Sequence, residues 1–313
     1  MDNSPQPIML FIVLLLGSIP KRGCFHAIEE QGNSTISWSY EIHLEFFIPN
    51  GNLTSVENSK ITYFSSHTWP SGGGNKHYYG AEATLDVYGF DLQNGQENGQ
   101  PSSLNGIQIG WHHKDSRTHF YIAWISGGTS GKGCMNMICP GFHKTSSSIA
   151  PGNVISPLSR IGGQKKYITL RIFKSDGGIV YLCGMIWCVF IDKCMQEKYS
   201  GDWYIHFGAK GDPKPVDYFP KSLIPGLVDK PLEITFGGYV NHKKPRLSPP
   251  MGSGYLSTSG NAASFSNLKF IDVDGVSHIV NIDLPSTDDG KGCYTPSKID
   301  SAQFFYGGSG CID

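Results

Sequence analysis

From His77 onward the chain alternates apolar and polar residues with a period of two. Ala81, Ala83, Leu85 and Val87 interleave with Glu82, Thr84 and Asp86. Ile107 and Ile109 interleave with Gln108 and Gly110, and a polar turn at Lys114–Ser116 leads into another such run. There Phe120, Ile122 and Trp124 share one face, and His119, Tyr121 and Ala123 share the other. A period of two is that of a strand whose two faces meet different surroundings. The same reading predicts strands over 107–113, 117–126, 166–174, 202–208, 232–240 and 264–273. Pro and Gly punctuate the intervals, and only Tyr218–Leu227 reads as a short helix. Many short alternating strands with such turns predict an all-β fold, a β-sandwich of two stacked sheets.

The N-terminal part has a different texture. Pro7 to Ile19 contains the apolar run IMLFIVLLLG, too short to span a bilayer and suited to the hydrophobic core of a secretory leader. Residues 1–24 are therefore expected to be a signal peptide, although no Lys or Arg precedes the run; a buried core segment is the alternative. Residues 25–76 are polar and rich in turns, with strand-like runs at Ile36–Phe47 and Ile61–Phe64. They end in a linker, SGGGN, at 71–75. Sequons at Asn33 and Asn52 fit glycosylation of a secreted chain. Residues 77–313 form the expected β-domain, interrupted by an atypical segment at 179–197. Between Gly178 and Lys198 the chain is continuously apolar and carries Cys183, Cys188 and Cys194. An extra buried strand and a retained non-coding segment are the two readings of it.

Composition narrows the function classes. A content of 39 Gly, with 15 Tyr and 17 Phe, favours turns and pleated strands over helices. A formal net charge of −1 provides no field to draw nucleic acid or an anionic membrane. Lys165-Lys166 and the KKPR of 243–246 read as solvated edges. Eight cysteines in an oxidising compartment are expected to pair for the most part. Cys134 and Cys139 close a loop short enough for a local bridge, and Cys293 and Cys311 bracket a tail that a bridge would hold down. Their spacing lacks the CxxC and paired His of a zinc site.

Familiar catalytic signatures are missing from the sequence, HExxH and GxSxG among them. SGGTSGKG at 126–133 approaches a phosphate-binding loop but has Ser126 for the first Gly and Gly133 for the Ser or Thr. His112 and His113 would point to opposite faces of a strand and could not bind one ion together. Paired carboxylates for general acid–base work would need to face a common water. Of the glutamates, only Glu82 and Glu233 fall among strands of the β-region.

Eight motifs in order carry a resemblance. They are YYGAEATLDVY (78–88), IQIGWHH (107–113), THFYIAWIS (118–126), GCMNMICPGF (133–142), ISPLSRIGG (155–163), GDWYIHFG (201–208), FGGYV (236–240) and MGSG (251–254), with FFYGG and Cys311 closing the chain. In these the sequence resembles the plant neprosin family, secreted proteins related to glutamic prolyl endopeptidases. The resemblance implies two stacked antiparallel sheets, of the jelly-roll or concanavalin-like kind, with a long cleft. It also implies the bridges Cys134–Cys139 and Cys293–Cys311. Active members use two glutamates across the cleft and cleave after proline at acid pH, with no metal and no cofactor.

Carried over, the two glutamate positions are Gln108, ahead of the Gly-Trp of IQIGW, and Tyr239, after the Gly-Gly of FGGYV. Gln keeps shape and hydrogen bonding but does not titrate, and Tyr has a reference pKa of ~10. General acid–base steps contribute about 10²–10⁴-fold each, so little hydrolysis should survive both changes. Pro250 also replaces the family's Gln ahead of MGSG. Two functions compete. One is a catalytically impaired, secreted member that binds a polypeptide, proline-rich in the family's manner, or cell-wall material through cleft aromatics Trp111, Tyr121 and Trp124. The other is an active acid peptidase in which Glu82 or Glu233 replaces a lost acid. Neither calls for nucleic acid or stable membrane insertion.

Overall fold

The computed structural model describes residues 8–16, 60–70, 76–90, 105–114, 117–126, 132–175, 201–209, 211–227, 232–243 and 247–311. In chain order the strands are β1 (Ile8–Leu16), β2 (Lys60–Trp69), β3 (Gly80–Asp86), β4 (Asn105–Lys114), β5 (Arg117–Ser126) and β6 (Lys132–Met135). There follow β7 (His143–Lys144), β8 (Tyr167–Lys174), β9 (Trp203–Gly208), β10 (Lys214–Phe219), β11 (Ile234–Lys243) and β12 (Met251–Gly252). The last are β13 (Ala263–Ile271), β14 (Ser277–Ile279), β15 (Ser286–Thr287), β16 (Thr295–Pro296) and β17 (Phe304–Gly308). Asn33, Asn52, the 71–75 linker and the apolar segment 179–197 lie outside the described residues.

Two antiparallel sheets result. A seven-stranded sheet runs β15-β2-β11-β1-β4-β5-β6. A ten-stranded sheet runs β12-β17-β13-β3-β8-β9-β10-β7, with β14 beside β13 and β16 beside β17. The period-two apolar residues of each meet in one core. Ile107, Ile109 and Trp111 of β4 and Phe120, Ile122 and Trp124 of β5 lie in it with Ala81, Ala83 and Leu85 of β3. Ring contacts cross between the sheets at Phe120–Phe207 (4.8 Å) and Phe236–Phe270 (5.9 Å). Two hydrogen bonds also cross. Trp111 Nε1 donates to the Asp86 carbonyl at 3.0 Å, and Thr118 Oγ1 donates to the Tyr88 carbonyl at 2.8 Å.

The helix expected over Tyr218–Leu227 does not form. Tyr218 and Phe219 end β10, and two single 3₁₀ turns follow at Lys221–Leu223 and Pro225–Leu227. Pro220 is extended, with ψ at 138°, and Pro225 lacks the N–H that a continuing helix would use. Both expected disulfides are present, Cys134–Cys139 and Cys293–Cys311. Among the described residues no helix is long and apolar enough to cross a membrane.

The run read as a leader occupies the sheet. Ile8–Leu16 forms β1 and pairs antiparallel with β4 on one side and β11 on the other. That pairing determines how Gln108 and Tyr239 lie relative to each other.

Candidate functional site

The candidate site is the face of the seven-stranded sheet turned away from the core. Strand alternation puts Gln108, Gly110 and His112 there from β4, because Ile107, Ile109 and Trp111 face inward. Tyr121 and Ala123 come from β5 by the same rule, and Tyr239 from β11, between inward Phe236 and Val240. Tyr121, Ala123 and Tyr239 gather in a small apolar cluster of their own, edged by Phe64 and Met135. The Phe64 and Tyr239 rings lie 5.7 Å apart, and His112 lies 5.0 Å from Tyr121 and 5.6 Å from His119.

FGGYV owes its first glycine to this face. A Cβ on Gly237 would collide with Ser66 of the neighbouring β2, including its backbone. The first Gly of the later motif MGSG, Gly252, has φ +67°, a conformation side chains rarely adopt.

Gln108 is 2 % exposed, and its Oε1 meets no hydrogen-bond partner among the described residues. Tyr239 is 7 % exposed. The two are on one face but do not confront each other. Through β1, Gln108 stands in a row with Val13 and Thr235, whereas Tyr239 stands in a row with Met9 and His112. Four positions along a strand are ~13 Å and two strand spacings ~10 Å. In the chain with β1 in place, the two positions are therefore not directly opposite each other.

The expected aromatic trio is divided. Trp111 is fully buried in the sandwich core and Trp124 is 8 % exposed there, so neither lines the surface that holds Gln108. Tyr121 alone shares that face, and it too is fully buried, in the cluster with Ala123 and Tyr239. The alternation had already assigned Trp124 and Tyr121 to opposite faces, and burial makes the inward face the core. His112 and His113 are divided likewise: His113 Nδ1 bonds Thr118 Oγ1 at 2.9 Å.

The two glutamates also part. Glu82 belongs to the ten-stranded sheet, where it pairs with Lys269 (2.7 Å) and Arg171 (3.6 Å). It cannot serve the other sheet's face. Glu233 immediately precedes β11, in the alternation of Thr235 and Tyr239, and burial alone pushes its carboxyl above the usual range. Among the described residues it is the acid placed next to this face. Asp289 lies against Cys293 and Cys311, but both sulfurs are spent in a disulfide and do not ligate.

An antiparallel two-sheet sandwich, with disulfides at the fifth strand's neighbouring loop and at the C-terminal strand, is the structural class. Within that class, the Neprosin family model matches residues 89–309, and the chain belongs to the neprosin family. The match begins after β3, so β1 and β2 lie outside it.

Proposed function

We propose that this chain is a secreted neprosin-family protein, impaired as a peptidase, which binds polypeptide on the outward face of its seven-stranded sheet. The observation that carries the reading is the substitution of both glutamate positions. Gln108 has no titrating proton, and Tyr239 puts a ring where the second acid would stand. In the uncleaved chain, with β1 between β4 and β11, their register separates them as well. A general acid and a general base must reach one water within hydrogen-bond distance, and two groups so far apart cannot.

Binding has its own support. β4 and β11 both run antiparallel to β1, hence parallel to each other. An extended peptide antiparallel to both would complete the same ladder by strand addition. Proposed secretion removes residues 1–24, so the sheet with β1 in place is that of the uncleaved chain. In the secreted form β4 and β11 lose that neighbour and offer their backbone groups to a ligand.

The test is incubation of the purified secreted form with a denatured proline-rich polypeptide from about pH 2.5 to 7, near and below carboxylate pKa values. Saturable binding without new termini after proline supports the proposal. Cleavage after proline overturns it.

Glu233 favours a second reading, an acid peptidase with a relocated acid. A carboxyl whose pKa is raised by burial is suited to donate a proton. Under that reading Glu233→Gln abolishes cleavage while leaving binding intact.

A further inference from the structure

A second site lies on the ten-stranded sheet, on the face turned away from the core. There Glu82, Thr84 and Asp86 of β3 are 6 %, 7 % and 6 % exposed, and Thr169 of β8 is 8 % exposed. Polar residues on an outward sheet face are normally solvated, so something walls them in. The walls are the β9–β10 turn at Gly211–Pro213 and the irregular stretch of β13 between Ser266 and Lys269. Together they enclose a cleft of ≈ 430 Å³.

The buried charges in it are already matched, and with the exposed Asp212 of the turn the three carboxylates stand beside three cations, Lys165, Arg171 and Lys269. Glu82 pairs with Lys269 at 2.7 Å and Arg171 at 3.6 Å. Asp86 pairs with Lys165 at 2.9 Å and accepts from the Ser264 N–H and hydroxyl at 2.9 and 3.0 Å. Neither an anion nor a metal cation finds an excess of opposite charge. An apolar side chain finds no apolar pocket, because the floor consists of hydroxyls, an amide and carboxylates. The floor is also pre-set: Thr84 and Thr169 share a hydroxyl hydrogen bond at 2.9 Å, and Asn267 Nδ2 donates to Thr84 Oγ1 at 3.2 Å. Tyr167, opposite Asp86 in register and 51 % exposed, stands at the rim as a broad ring.

We infer that this cleft binds a neutral saccharide. Carboxylate oxygens and threonine hydroxyls can each engage ring hydroxyls, and neutral hydroxyls need no counter-charge. Tyr167 offers its ring to the C–H face of a sugar, as amphipathic aromatics do at sites apolar on one side and wet on the other. Glu82 and Asp86 do not form a hydrolytic pair in the cleft. Glu82 and Asp86 are four residues apart on one strand, ~13 Å, beyond the ~5–9.5 Å that paired glycosidase carboxylates span.

The test uses the purified, disulfide-intact chain and four probes: hexasaccharides of β-1,4-glucose, β-1,4-xylose and α-1,4-glucose, and a charged tetragalacturonate. Binding is followed calorimetrically at about 0.05 and 0.5 M NaCl, where screening lengths differ several-fold. The expected result is saturable binding of at least one neutral probe, equal at both salt concentrations. Tyr167→Ala, at a half-exposed position that does not build the core, should weaken it up to about 10-fold. Asp212→Ala, on the exposed turn, should weaken it too, with melting temperatures unchanged in both variants. No binding by any neutral probe overturns the inference. So does binding confined to tetragalacturonate and lost in high salt, or binding that neither variant alters.

Discussion

Asp217 gives the sharpest quantitative test of the fold. It lies on β10 at 3 % exposure, and its Oδ1 accepts the Tyr218 N–H at 2.8 Å. Its Oδ2 meets no hydrogen-bond partner among the described residues. Burial raises its pKa from 3.8 to about 6, against smaller opposing effects from the Tyr218 N–H, His143 and Lys144. That rise corresponds to up to ~3 kcal/mol. A carboxyl whose folded pKa is raised binds its proton more tightly in the native state. The stabilisation is therefore present below the unfolded pKa and is lost as pH rises through about 6. Asp217→Asn keeps the acceptor for Tyr218 and removes the titration. In urea unfolding, the variant minus wild-type stability should increase between about pH 4 and 7 by up to ~3 kcal/mol. A difference that does not change with pH would refute the burial argument, as would a variant that loses stability relative to wild type toward pH 7.

Five further outcomes follow. His206 is held well down, at about 4, by burial and then by Arg171, so it opposes stability as pH falls from 6.5 toward 4. His206→Gln should flatten that acid limb in thermal melts, and an unchanged limb would contradict the assignment. Losing Cys293–Cys311, which closes a separation of 18 residues, should cost ~3 kcal/mol. Losing Cys134–Cys139, with a separation of 5, should cost ~2 kcal/mol by chemical denaturation. Trp111→Phe removes the indole bond to the Asp86 carbonyl and should cost about 2–3 kcal/mol, whereas a surface aromatic would cost almost nothing. Intact mass of the secreted protein should show residues 1–24 removed; a mass retaining Ile8–Leu16 would place β1 in the mature sheet.

Much of this molecule was legible in its alternation. Strand β5 was predicted over 117–126 and is Arg117–Ser126, with the two faces divided as the side chains suggested. Strand β8 starts one residue later than predicted, at Tyr167. What escaped was either short or non-local. β7, β12 and β15 are two-residue pairings made by partners far away in the chain, β16 is as short with its partner ten to twelve residues on, and no local period announces them. β10 was hidden by Pro215 and by the bulge between Pro215 and Asp217, which breaks the alternation. In the site, motif order pointed to Gln108 and Tyr239 but could not supply their register. Only pairing through β1 shows that Gln108 faces Thr235 and Tyr239 faces His112. Nor did aromatic identity separate the sandwich core from the other face: Trp111 and Tyr121 are both fully buried, and only their packing in different clusters assigns the first to the core between the sheets. The cleft at Glu82 and Asp86 depends on a turn 125 positions away, at Gly211, and has no linear signature.

The most direct test of the central claim is a proteolysis assay on a denatured proline-rich polypeptide from about pH 2.5 to 7, a range that spans carboxylate titration. The chain without residues 1–24 is compared with the same chain carrying Gln108→Glu and Tyr239→Glu. The account predicts no cleavage after proline by the unaltered chain at any pH. It predicts acid-dependent cleavage by the altered one, because removal of β1 lets β4 and β11 take up a new spacing. Cleavage after proline by the unaltered chain would contradict it and would direct attention to Glu233.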